Sequence, residues 1–211
     1  MKLIIGNKNY SSWSLRPWLL LHAFDLPFSE QLIPLYRRDT LEQLARHTPC
    51  GKVPVLIDND LIVWDSMAIC EYVSERYLDN RGWPSSVNAR AEARAASAEM
   101  HSGFPAVRSE MPMDCMARKT VSLSRQAEKE VSRINDLWSS LRAKYQTDGD
   151  GLCGPFGIAD CMFAPIALRF RTYGISVSDA SATYLNYLLN HPGICAWVEE
   201  ASKEKFEVHA R

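Results

Sequence analysis

Gly51-Lys52-Val53-Pro54-Val55-Leu56-Ile57, then Asp58-Asn59-Asp60, then Leu61-Ile62-Val63-Trp64-Asp65-Ser66 run without a break through residues 51–66. A proline stands where an apolar strand opens, and proline has no N–H to give to a strand ladder. The Asp-Asn-Asp triplet suits a tight hairpin connection. The second apolar run stops on an acid and a serine, the residue types that cap helix N-termini. The segment therefore predicts strand, turn, strand and helix start. It leaves backbone groups near Val53 and a positive helix end at Asp65-Ser66 open to something peptide-like and anionic.

Working outward, Leu3-Ile4-Ile5 reads as a short buried strand. A helix follows with apolar positions at Leu15, Trp18, Leu19 and Ala23, and Leu32-Ile33-Pro34-Leu35 reads as a second strand whose proline marks its end. With Ser14 as its cap, that first helix would place Pro17 in its first turn, where a missing N–H costs nothing. Residues 40–47 read as helix, and a last helix runs from 66 to about 78, giving β-α-β-α-β-β-α over residues 1–79. Residues 80–87 are a turn-rich linker. Strand patterns then vanish, and residues 88–211 carry helical periodicity near 88–104, 121–145, 158–173, 179–190 and 193–204, with Pro105 expected to kink the first. The fold class is α/β plus all-α.

Charge is nearly balanced, with 24 basic against 25 acidic residues, which argues against nucleic acid as a partner. The apolar runs are too short for a membrane span or signal peptide, so a soluble, cytoplasmic protein is expected. The six cysteines lack metal-ligand spacing and read as reduced thiols, with Cys70, Cys161 and Cys195 expected in the core. The five histidines show no pairing at helical spacing, so no metal site is expected.

A β-α-β-α-β-β-α unit with Val53-Pro54 before its third strand and Asp65-Ser66 opening its last helix resembles the glutathione transferases. Asn9-Tyr10-Ser11-Ser12-Trp13-Ser14-Leu15-Arg16 is most similar to the signature of zeta-class, maleylacetoacetate isomerase-like members, including bacterial ones, except that Trp13 stands in the place of a cysteine. The resemblance implies a thioredoxin-like first domain, glutathione as co-substrate without a metal, a small electrophile as second substrate, and a homodimer. It implies Ser11 as the hydroxyl that meets the thiol, with Ser12 as its neighbour. Val53 and Pro54 would meet the cysteinyl backbone, and Ser66 the γ-glutamyl carboxylate. Asp65 would face the ammonium group, and Lys52 either the glycyl carboxylate or solvent.

Gly157-Ile158-Ala159-Asp160 is similar to the capping box of the family's sixth helix, with glycine in place of serine or threonine. His101, Arg108 and Met111 are expected to border the electrophile site, with a surface ion pair the alternative for Arg108 and core packing the alternative for Met111. The expected activity is transfer of glutathione to a small electrophile. Cis–trans isomerisation and a non-catalytic binding or scaffold role are the alternatives.

Overall fold

The computed structural model describes residues 1–204 of the chain. The first part runs β1 (Lys2–Ile5), α1 (Ser12–Ala23), β2 (Ser29–Leu32), α2 (Thr40–Ala45), β3 (Val55–Asp58), β4 (Leu61–Trp64) and α3 (Ser66–Tyr77). The second is helical: α4 (Val87–Ser102), α5 (Pro105–Glu110), α6 (Arg125–Tyr145), α7 (Ile158–Tyr173), α8 (Asp179–Leu189) and α9 (Pro192–Ser202). The sheet order is β2-β1-β3-β4. β1 lies parallel to β2, with Lys2 opposite Ser29, and antiparallel to β3, with Leu3 opposite Leu56. β3 and β4 form the hairpin read from the sequence, with Asp58 opposite Leu61 and Asn59 in the left-handed region. This is the thioredoxin-like sheet with an all-helical partner. None of the described helices is long and apolar enough to cross a membrane.

Four local expectations are corrected. The second strand covers residues 29–32 rather than 32–35: Ser-Glu-Gln-Leu lies on the sheet edge, half exposed, so it carries little hydrophobic pattern. α1 begins at Ser12, with Ser11 as its cap, because the Ser14 hydroxyl is turned inward to accept from the Gly6 N–H at 3.1 Å. Pro17 is thus the sixth helical residue and has no N–H to offer the Trp13 carbonyl. Pro105 does not kink a helix. α4 ends at Ser102, Phe104 adopts φ 60°, and Pro105 opens a new helix as its first residue. Cys70 and Cys161 are buried as expected, but Cys195 is exposed on α9.

α7 explains its own unusual cap. Asp160 accepts from the Gly157 N–H at 2.8 Å, and also from the Leu152 N–H and the Tyr184 hydroxyl, each at 2.8 Å. A side chain at 157 would place its Cβ 2.5 Å from the Gly82 carbonyl oxygen. That same oxygen accepts the Ile158 N–H at 2.8 Å. Linker and helix therefore touch through backbone alone, and serine or threonine is excluded by space. α7 is buried along nearly its whole length, and α1 packs along it, so one apolar core joins the sheet-bearing part to the helices.

Candidate functional site

A cavity of about 980 Å³ opens between the end of β4, the segment before β3 and the loop that leads into α2. Lys52, Val53, Pro54, Asp65 and Ser66 line it together with Trp13. The Val53-Pro54 peptide bond is cis, and Val53 precedes the ladder residues of β3, so its backbone groups lie outside that pairing. Lys52 is exposed at the rim.

Asp65 holds φ 75°, outside the comfortable range of a non-glycine residue, and one of its oxygens caps α3 by accepting from the Met67 N–H at 2.8 Å. Its second oxygen is 3.2 Å from His101 Nε2. Ser66 follows as the first helical residue and is buried, so a group bound there would meet the positive end of α3.

Trp13 is the hub of the opposite wall. The Arg16 guanidinium lies 4.2 Å from its ring centre and that of Arg108 lies 4.8 Å away, while His101 meets its edge at 5.3 Å. Arg16 is 1% exposed, donates to the Ser66 hydroxyl at 3.3 Å, and leaves its Nε without a partner. Arg108 donates to the carbonyls of Met100, His101 and Gly103 at the end of α4. Arg169, from α7, donates to the carbonyls of Met111 and Pro165 and to the Ser12 hydroxyl. None of these three arginines stands in a salt bridge among the described residues. Burial, and then mutual repulsion, pushes Arg16 down to about 9 and Arg169 down to about 10.

The two serines differ in their hydrogen bonds. Ser11 accepts from the Ser14 N–H at 3.4 Å and donates to the Ser14 hydroxyl at 2.7 Å. Ser12 accepts from Arg169 at 3.3 Å, and no described residue accepts its proton. Of the residues expected at the electrophile site, His101 and Arg108 stand against Trp13, but Met111 does not join them. Its side chain is fully buried in the core, and only its carbonyl, held by Arg169, faces the cluster. Burial, outweighing the pull of Asp65, holds His101 below the usual histidine range.

The motif marks Trp13 only as a replacement for cysteine, and it assigns no role to Arg16 or Arg169. Arg16 looks like an ordinary helix arginine. The signal for Arg169 is a charge that follows the apolar run Cys161–Leu168 and precedes Phe170 in α7. Among the described residues, no group of His, Cys, Asp and Glu is arranged to hold a metal ion.

Residues 10–76 match the family model "Glutathione S-transferase, N-terminal domain". The chain is 24% identical to glutathione S-transferase 1 of Dianthus caryophyllus over 95% of this chain and 96% of that protein. It is 23% identical to a probable maleylacetoacetate isomerase of Caenorhabditis elegans over 79% of this chain and 77% of that one. A Burkholderia glutathione transferase homolog solved with bound glutathione superposes with a TM-score of 0.73 at 20% identity, covering 96% of this chain and 98% of that structure. The chain thus has the fold seen in the glutathione transferases, and its residues 10–76 match the model of their N-terminal domain.

Proposed function

We propose that the protein is a glutathione transferase that lowers the thiol pKa of bound glutathione with a serine hydroxyl and adds the thiolate to a small electrophile. The observation that carries this is the convergence of Val53-Pro54, Asp65-Ser66 and Trp13 on one cavity large enough for a tripeptide. The γ-glutamyl carboxylate sits at Ser66 on the positive end of α3, with Arg16 behind the hydroxyl as its counter-charge. The cysteinyl backbone pairs with Val53, and Lys52 meets the glycyl carboxylate at the rim. Because one Asp65 oxygen already caps α3, the ammonium group competes with His101 for the other.

So held, the sulfur points to the start of α1. A thiol of pKa ~8.5 is about 3% ionised at pH 7, and lowering the pKa by about two requires ~2.7 kcal/mol. A hydroxyl hydrogen bond to the anion supplies ~1.5–3 kcal/mol, and the helix end ~0.3–1 kcal/mol more. The thiol proton leaves to water. The sulfur then forms a bond to carbon as the leaving group departs with its electron pair.

A cytoplasmic location and a homodimer belong to the same proposal, and the homodimer is supported by Leu61 and Ile62, which β4 leaves exposed at the sheet edge. The isomerase alternative has the Ser11-Ser12 pair in its favour, and Trp13 in the cysteine position ranks it second. Retention on immobilised glutathione followed by conjugation of an aromatic halide tests the transferase reading. A protein that does neither is a scaffold using this fold.

A further inference from the structure

We infer that the hydroxyl which meets the glutathione sulfur belongs to Ser12, and that Arg169 is the positioning residue that aims it, while Ser11 serves as the cap of α1. The inference rests on the glutathione reading above and assigns the roles within it.

A hydroxyl has one proton to give. Ser11 spends its proton on Ser14 at 2.7 Å and its oxygen on the Ser14 N–H, and Ser14 in turn holds the Gly6 N–H. Turning Ser11 toward a ligand would undo that buried chain where β1 passes into α1. Ser12 is arranged the other way. Arg169 donates into its oxygen at 3.3 Å, which polarises the O–H and leaves the proton without an acceptor among the described residues. The guanidinium is fixed from behind by the carbonyls of Met111 and Pro165, so its third donor direction is set by α5 and α7 rather than by the loop it serves.

The charge balance points the same way. Arg16 and Arg169 are buried and Arg108 is half-buried beside them; none has a carboxylate at salt-bridge distance, with Asp65 and Glu130 acting on Arg16 and Arg108 only from farther away, and a buried charge so weakly matched is costly. A thiolate at Ser12 supplies the missing negative charge. Arg169 comes from the helical part of the chain, so thiol activation draws on both halves.

The test is to titrate the thiolate absorbance of glutathione bound to the parent, Ser12→Ala, Ser11→Ala, Arg169→Gln and Arg169→Lys proteins, with calorimetry on each to show that glutathione is bound. Ser12→Ala should raise the bound thiol pKa by about one to two. Arg169→Gln should raise it by less, Arg169→Lys should restore part of the loss, and Ser11→Ala should move it less than Ser12→Ala while lowering Tm. If Arg169→Gln does not fold, the two serine variants still decide. A thiol pKa that follows Ser11, or is unmoved by Ser12→Ala, overturns the inference and leaves glutathione binding standing. A parent protein that shows no glutathione binding overturns both.

Discussion

Lys8 and Arg16 are both buried cations on either side of the start of α1, and their surroundings differ in kind. Lys8 is 3% exposed and holds Glu30 at 2.7 Å and Glu200 as well. The rings of Trp18 and Trp197 close over its ammonium at 5.0 and 5.4 Å. Its charge is matched from both halves of the chain, and the cage is finished. Arg16 is more deeply buried, has one hydroxyl and one aromatic face, and shares its space with two other arginines. A matched buried charge fastens elements together, whereas an unmatched one is tolerated where a ligand will complete it.

Lys8→Met is the most direct attack on the finished cage. It should destabilise the fold by about 2 kcal/mol in urea unfolding, below the ~3–5 kcal/mol of a fully buried pair because Glu30 and Glu200 both reach water. No loss of stability would mean that the cage fastens nothing. Arg16→Met should have the opposite sign on the unligated protein, a gain of about 1 kcal/mol from removing an unmatched charge. The same variant should bind glutathione roughly tenfold more weakly, a cost of about 1.4 kcal/mol. A variant that loses stability and keeps affinity would erase the contrast with Lys8.

The smallest effect concerns His101, which touches both Asp65 and Trp13. Its pKa in the fold is depressed by burial, so near its ordinary value the unfolded chain binds the proton more readily. Stability from this site is full above pH ~6.5 and falls as pH drops toward the lowered value in the fold. His101→Gln should flatten that part of the stability curve, and an unchanged slope between pH 7 and 5.5 would show that His101 contributes no pH dependence.

The lining of the cavity was legible because it is local: Val53-Pro54, the hairpin and the Asp65-Ser66 cap each leave a mark within a few residues, and the fold brings them together. The strand at 29–32 was misplaced because an edge strand needs no apolar alternation. The cap of α1 was misjudged because Pro17 suggested a later start, while the cost of burying Ser14 elsewhere is settled only by the Gly6 N–H it meets across the β1–α1 turn. Met111 was open between an apolar cleft wall and the core, and it lies in the core. Whether a methionine after a short helix faces a cleft or the core depends on the α5–α6 packing, which no local pattern encodes. Arg169 is 157 residues from the serine it touches.

The contact between Gly82 and Gly157 bears on how copies of this chain can entangle. Exchange of a whole domain between two molecules needs a connecting segment that can straighten, and short strained hinges invite it. Here the linker carbonyl is engaged by the first N–H of α7, and the indole of Trp83, one residue on, donates to Glu71 in α3. Straightening the linker would strip both ends of those bonds before any new partner could form them. The linker is in this respect stitched to α3 and α7, and a swapped dimer would have to break both contacts before it could form.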